Sequence, residues 1–495
     1  MLLLGLDIGT SSIKASVVDA ATQQQLASAQ YPETESGIIS LQPGWAEQSP
    51  GMWWEHVQLA ILKLHAQRKY DPKDISAIGI AYQMHGLVCV DKQQQALRDS
   101  IIWCDSRAVE LGNQAFETIG KEHALLHLLN SPGNFTASKL AWVKQNEPAL
   151  YDKIDKIMLP GDFIAMKLTG NVSTSISALS EGVFWDFQEH ELSKDVFGYY
   201  GLDPQFIPPV KDVFTVHGLV SKTVAESLSL TAGIPVTYKA GDQPNNALSL
   251  NVLNPGEVAA TAGTSGVIYA VSDQLTYDNE SRVNSFAHVN HTDKQKRLGV
   301  LLNINGTGIL NRWIRNITGD KLNYREMNEA AAGVAPGSEG VYILPFGNGA
   351  ERMLNNRTIE AHIHSLNFNI HAAPHLYRAA QEGIAFAFRY GLDIMRSNGI
   401  NPSVIRASKT NMFLSEVFTE AFVNATGLTV ELYQGDGSTG AAIGAGLGAG
   451  IYKTAEDAFR HFKPLYKAEP SAKLTAAYDE LYSGWKNVLL NQLNQ

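Results

Sequence analysis

The sequence predicts an α/β fold built from two similar domains that face each other across a cleft. Three observations carry this. Strand-like and helix-like segments alternate along the chain. Residues 9–19 (GTSSIKASVVD) align without gaps on residues 263–273 (GTSGVIYAVSD). And 495 residues are more than one hydrophobic core serves. The domains are placed at 1–247 and 248–495, with the terminal helices free to pack back on the first.

Taken in order, LLLGLDI and IKASVVD are two apolar runs meeting at a Gly-Thr-Ser-Ser turn, which predicts a β-hairpin. Residues 52–68 (MWWEHVQLAILKLHAQR) carry helical spacing, and ISAIGIAY after them reads as a short buried strand. The second Gly-Thr-Ser copy is again flanked by strand-like runs, and it opens the second half just after AGDQPNNALSLNVLNPGE (240–257). Two unrelated hairpins that happen to share turn residues are the other reading of the match.

A Gly-Thr-Ser turn is useful chemically. Glycine lets backbone N–H groups converge and the hydroxyls add donors, which together make an anion nest. Two such turns facing each other would hold a polyphosphate from both sides. Asp7, an acid inside the first apolar run, then has a purpose, because a carboxylate beside a phosphate clamp can hold Mg²⁺, usually through water. A strand-end acid capping its own turn is the alternative.

The bulk composition narrows the partners. A net charge of −10 argues against nucleic acid or anionic membrane as the main ligand, and 44% apolar with 18% charged residues suits a globular chain. The first residues lack a basic segment and reach Asp7 at once, so no secretory leader is expected, nor any membrane span. Cys89 and Cys104 are expected as free thiols of a cytoplasmic protein, with one disulfide as the other possibility.

Two motifs mislead. GDGSTG (435–440) is a literal G-x-G-x-x-G between a strand-like and a helix-like run, but the tail beyond it reads as helix and leaves no room for a doubly wound sheet. A tight strand-to-helix packing turn is expected instead. EAHIHSLNFNIHAAPH (360–375) aligns His362 and His364 on one face, with His371 and His375 following, yet no cysteine or recurrent acid completes a metal site. No Walker A loop is present.

In order and spacing, several segments resemble the FGGY family of carbohydrate kinases, within the actin/hexokinase/Hsp70-like (ribonuclease H-like) ATPases. They are DIGTSS, LPGDFIAMKLTG (159–170), EGVFWD (181–186), AGDQPNNA (240–247), AATAGTSGV, FGNGAERMLNNR and AAQEGIAFAFR. The resemblance implies ATP-dependent phosphorylation of a sugar hydroxyl, with ATP and Mg²⁺ as cofactors and a homodimer as a frequent state. It makes Asp242 the general base that takes the alcohol proton, and Asp7 and Asp242 the carboxylates near Mg²⁺. The nucleotide is expected on Gly9, Thr10 and Ser11, on Gly263, Thr264 and Ser265, on Gly308, and on Ala407, Ser408 and Asn411. Lys14 is a further phosphate candidate, although a strand lysine facing solvent explains it as well.

AYQMHGLVCVD (81–91) resembles the xylulose-phosphorylating members. That resemblance implies conversion of D-xylulose to D-xylulose 5-phosphate, with Met84 flooring the carbon skeleton and His85 donating to a hydroxyl or carbonyl. Trp103 would wall the pocket, and Gln243 would join Asp242 at the substrate. Asp105 and Arg107 would either bond sugar hydroxyls or pair with each other. The chain departs from the family pattern at Cys104, Gln243, Ser175, Met353-Leu354, and Ala407-Ser408 of the adenine stretch. Another ketose or polyol (ribulose, fuculose or glycerol) and a non-catalytic sugar- or nucleotide-binding regulator are the rival readings.

Overall fold

The computed structural model describes residues 1–318 and 322–494. The first sheet contains β1 (Leu2–Ile8), β2 (Ile13–Asp19), β3 (Gln25–Tyr31), β4 (Ile75–Tyr82), β5 (Phe214–Leu219) and β6 (Pro235–Gly241), in the order β5-β6-β4-β1-β2-β3. The second contains β7 (Glu257–Ala262), β8 (Gly266–Ser272), β9 (Asn284–Ala287), β10 (Leu298–Ile304), β11 (Val404–Ser408), β12 (Thr429–Tyr433) and β13 (Tyr466–Ala468). Its order is β9-β10-β8-β7-β11-β12-β13.

The internal repeat therefore extends well beyond its eleven residues. β1 lies antiparallel to β2 and parallel to β4, just as β7 lies antiparallel to β8 and parallel to β11. Next to these, β4 and β6 run parallel, as do β11 and β12. The antiparallel edge strand precedes its neighbour in the first sheet (β5) and follows it in the second (β13). β13 corrects the expectation of an all-helical tail. It is a three-residue, mostly exposed strand with no apolar run to announce it, and only pairing with β12 makes it a strand.

The helices are α1 (Pro50–Ala66), α2 (Thr136–Asn146), α3 (Ile176–Glu181), α4 (Asp242–Ser249), α5 (Gly308–Ile317), α6 (Ala373–Ser397), α7 (Gly437–Gly448) and α8 (Ala472–Leu493), with shorter ones between them. α1 buries Trp53, Val57, Ala60, Ile61 and Leu64, the stripe its spacing predicts, in a core shared with β1 and β2.

α7 starts in the second half of the sequence but lies on the first sheet. A Cβ on Gly5 of β1 would fall 1.8 Å from the Ser438 carbonyl oxygen, and one on Gly79 of β4 would fall 1.9 Å from that of Ala441. Gly448 meets the Thr237 carbonyl of β6 as closely, and the Thr237 hydroxyl donates to the Ala445 carbonyl at 2.8 Å. Within GDGSTGAAIGAGLGAG, Gly448 makes room for backbone, while Gly437, Gly440, Gly444 and Gly446 make room for the side chains of Asp7, Ser249, Tyr238 and Tyr452, so the G-x-G-x-x-G run is the packing turn expected of it. α4, between the sheets, faces α7.

The last helix packs on the second half, unlike α7. α8 buries Tyr478, Tyr482, Trp485 and Leu489 against the second half, where Tyr482 donates to Asp393 at 2.7 Å and Trp485 to the Ile343 carbonyl at 2.8 Å. Its aromatic stripe fits the Phe386 face of α6, so it does not return to the first domain. Cys89 is buried, Cys104 is exposed, and both are free thiols. Among the described residues, no helix is long and apolar enough to cross a membrane.

Candidate active site

The first turn is tied down through its carbonyls. Gln48 donates to the Thr10 carbonyl at 2.8 Å, and the Ser36 N–H donates to that of Ser11 at 2.7 Å. The Thr10 hydroxyl donates to Gln83 at 3.1 Å and accepts from the Trp103 indole N–H at 3.0 Å. Gly9 closes the turn by donating to the Ser12 carbonyl at 3.2 Å. The amides of Thr10 and Ser11 and the exposed Ser11 hydroxyl remain as donors, the nest the sequence suggested. Lys14 sits opposite Asp7 in the hairpin register.

Asp7 ends β1 and Asp242 begins α4. Burial raises the Asp7 carboxyl to about 6, against the pull of Lys14 and with a push from Asp436. Asp242 rises to about 7, through burial first and the negative charge of Asp7 second. A helix N-terminus favours an anion by itself, but here desolvation and the neighbouring carboxylate win. Gln243 donates to Asp242 at 3.3 Å, and its own Oε1 is buried without a partner. Two carboxylates with raised proton affinity, one of them raised in part by the other, are suited to a proton acceptor and a divalent cation.

The sugar end predicted from the QMHG run follows β4. Met84 is buried beside Gly241, where a Cβ would sit 2.6 Å from its Cγ. His85 takes a left-handed backbone with φ +61°, and Lys139 of α2 holds that bend by donating to the His85 and Ile102 carbonyls, both at 2.9 Å. The ring packs on Phe135 and on Phe286 of β9, at centroid distances of 4.9 and 5.4 Å, so both halves of the chain wall it. Burial, with Lys139 and Arg352 nearby, lowers its pKa to about 3. His85 is therefore neutral, and its Nδ1–H donates to the Glu181 carbonyl at 2.9 Å. Nε2 is left with a lone pair, which corrects the expectation of a donor: His85 can only accept from a hydroxyl.

Asp105 and Arg107 close on each other. Asp105 Oδ1 takes the Arg107 backbone N–H at 2.8 Å, and Oδ2 takes the Ala46 N–H at 2.6 Å and Arg107 Nη2 at 2.7 Å. Arg107 also pairs with Glu47 and stacks on Trp45, its guanidinium 3.8 Å from the ring centroid. The side chains are 0% and 1% exposed, so neither has an atom to offer a sugar, and the pairing alternative holds. Trp103, half exposed, stands at the turn as a wall.

On the nucleotide side, a cavity of 340 Å³ is lined by Gly263, Thr264, Gly308 and Asn411 from the predicted set. Asn311, Arg312, Tyr324, Asn328 and Ser415 are among its other lining residues, and the sequence did not flag them. Gly308 donates to the Gly263 carbonyl at 2.8 Å, and Ile309 to that of Thr264 at 3.1 Å, which docks the second turn on the start of α5. Ser265 lies outside the lining and closes the turn through its carbonyl, which accepts from Gly263 at 3.0 Å. Ala407 and Ser408 are corrected. Ala407 is fully buried in β11 between Ala260 and Leu432, and the Ser408 hydroxyl is spent on the Gly435 carbonyl at 3.3 Å. Neither lines the cavity, so the added side chains do not narrow it.

Three of the four clustered histidines turn ring nitrogens to the backbone, and His364 Nε2 is buried without a partner. His362 bonds the Ile359 carbonyl at 2.7 Å, while His371 and His375 accept the Asn367 and Ala372 N–H groups.

Glu181, Lys139, Phe286, Glu351 and Arg352 support these residues without having been foreseen. Glu181 is 1% exposed, has one carboxylate oxygen without a partner, and would touch a Cβ on Gly241 at 2.6 Å. Burial holds its carboxyl well above the usual range. Glu351 accepts from the Asn305 and Gly306 N–H groups, at 2.9 and 3.2 Å, and so fixes the loop that carries Gly308.

Comparison with known proteins agrees with this geometry. Residues 2–249 match the N-terminal domain of the FGGY family of carbohydrate kinases, and residues 258–450 match its C-terminal domain. The xylulose kinase of Escherichia coli is 28% identical over 480 residues, 96% of each chain. The crystal structure of a xylulose kinase from Brucella ovis superposes with a TM-score of 0.87 at 27% identity, over 99% of this chain and 98% of the other. That of Plasmodium falciparum glycerol kinase with ADP gives 0.89 at 21%, over 100% and 98%, so the fold is common to kinases of different substrates. The chain belongs to the FGGY family and is an ATP-dependent carbohydrate kinase.

Proposed function

We propose that this FGGY kinase transfers the γ-phosphoryl group of ATP to the 5-hydroxyl of D-xylulose, giving D-xylulose 5-phosphate and ADP. The observation that carries the reading is the carboxylate of Asp242. It begins α4 close enough to Asp7 to feel its charge, and burial together with that charge raises its proton affinity to about 7. A base with that affinity takes the alcohol proton as the phosphoryl group arrives and is ionised often enough near neutrality to do so. Met84 and neutral His85 support a ketose, with Nε2 accepting one hydroxyl proton. The E. coli and B. ovis relatives, both named for xylulose, favour that sugar over others.

The oxygen donors of Asp7 and Asp242, two buried carboxylates that repel each other, fit Mg²⁺. The ion would neutralise charge on the triphosphate. Thr10, Ser11, Gly263 and Thr264 would hold the phosphates, and the cavity at Tyr324, Asn328 and Asn411 would take the base and ribose.

The test is a panel of xylulose, ribulose, fuculose, glycerol and gluconate in a coupled ADP-release assay with Mg²⁺. Xylulose should give the highest kcat/KM. Strong turnover of another member with none on xylulose removes the proposal. Asp242→Ala should lose several orders of magnitude in kcat while still binding sugar.

A further inference from the structure

We propose that Arg352, from the second half of the chain, reaches into the sugar end of the crevice and binds a sugar oxygen jointly with His85. This rests on the carbohydrate-kinase reading, but not on the sugar being xylulose.

The guanidinium of Arg352 is taken out of water without a carboxylate beside it. Arg378, Arg389, Arg396 and Arg406 of the same half each pair with carboxylates. Arg352 pairs with none among the described residues. Its one hydrogen bond is to the Asn284 side-chain oxygen, and burial depresses its proton affinity with no acid to offset it. Among the described residues its other side-chain N–H groups have no hydrogen-bond partner. A charge taken out of water without a counter-ion is costly unless something else accepts its hydrogen bonds.

Arg352 bonds the side chain of Asn284 and the His85 ring packs on Phe286, two residues further along β9, so the two groups meet the same face of one strand. The guanidinium charge also helps to lower the proton affinity of His85. The two groups are complementary. Arginine has only donors, and neutral His85, with Nδ1–H spent on Glu181, has only the Nε2 acceptor. A hydroxyl between them would give its proton to Nε2 and accept from the guanidinium. The position is braced from both sides. Asn284 donates to Asn130 of the first half at 2.9 Å, and the adjacent Glu351 holds the Asn305–Gly306 backbone beside the nucleotide cavity. A sugar held this way would touch both halves and lie next to the loop carrying Gly308.

The experiment compares wild type, Arg352→Gln and Arg352→Lys on whichever panel sugar wild type phosphorylates fastest. Sugar binding without ATP is followed by calorimetry. Loss of a charge-assisted hydrogen bond should raise sugar KM, and lower sugar affinity, about 10- to 100-fold, with ATP KM within about twofold. Lysine, lacking the fork, should restore only part, and guanidinium chloride should partly rescue Arg352→Ala without stimulating wild type. Should Arg352→Gln not fold, Arg352→Lys carries the test. Sugar KM within about twofold of wild type in the folded variants overturns the inference and leaves the kinase reading standing. A wild type that neither phosphorylates nor binds any sugar overturns both.

Discussion

Gly437 packs against the carboxylate of Asp7: a Cβ at that position would lie 2.3 Å from Oδ2. The start of α7, from the second half of the chain, thus fixes the acid at the end of β1. Gly437→Ala should push Asp7 off its site. The expected result is at least about a tenfold fall in kcat/KM and a higher Mg²⁺ requirement, read by titrating Mg²⁺ in the coupled assay. Unchanged Mg²⁺ dependence would separate Asp7 from the metal.

Gly308 stands in the same relation to the other turn, with its Cβ position 2.4 Å from the Gly263 carbonyl oxygen. Gly308→Ala should undock the second turn from α5. ATP KM should rise about tenfold or more, with sugar affinity within about twofold, as measured by separate saturation curves.

Asp242 predicts opposite pH trends for stability and activity. Its carboxyl titrates near 3.8 in the unfolded chain and near 7 in the folded one. Between these values the folded state holds a proton that the unfolded state has released, so this residue's contribution to stability falls as pH rises from about 4 to 7. Asp242→Asn should therefore melt higher than wild type at pH 8 in the absence of Mg²⁺, with the gap closing near pH 4, while being almost inactive. Wild-type turnover should fall as pH drops through the same window. A variant that melts lower than wild type at pH 8 would show that the buried charge is compensated.

Asp105→Asn tests the sealed pair. Breaking a buried ion pair costs about 3–5 kcal/mol, and Arg107 would keep only Glu47 as a partner. Denaturant unfolding should show that loss, with sugar KM within about twofold. A large rise in sugar KM at unchanged stability would return Asp105 to the sugar site.

The two hairpins, the acid beside the first and the α1 stripe were legible in the sequence because each is set by neighbours within a few residues. Glycine, hydroxyl and apolar periodicity act locally, and the family resemblance then named the chemistry. Tertiary structure decided what depends on segments hundreds of residues apart. Whether Asp105 meets a sugar or Arg107 depends on Ala46 and Glu47 closing over the pair. Whether His85 donates or accepts depends on the Glu181 carbonyl. Ala407 is indistinguishable from a ligand contact until β11 is seated between β7 and β12. Arg352 and Phe286 come near His85 only because β9 docks on the first half, a proximity created by burial and long-range hydrogen bonds that leave no periodic trace along the chain.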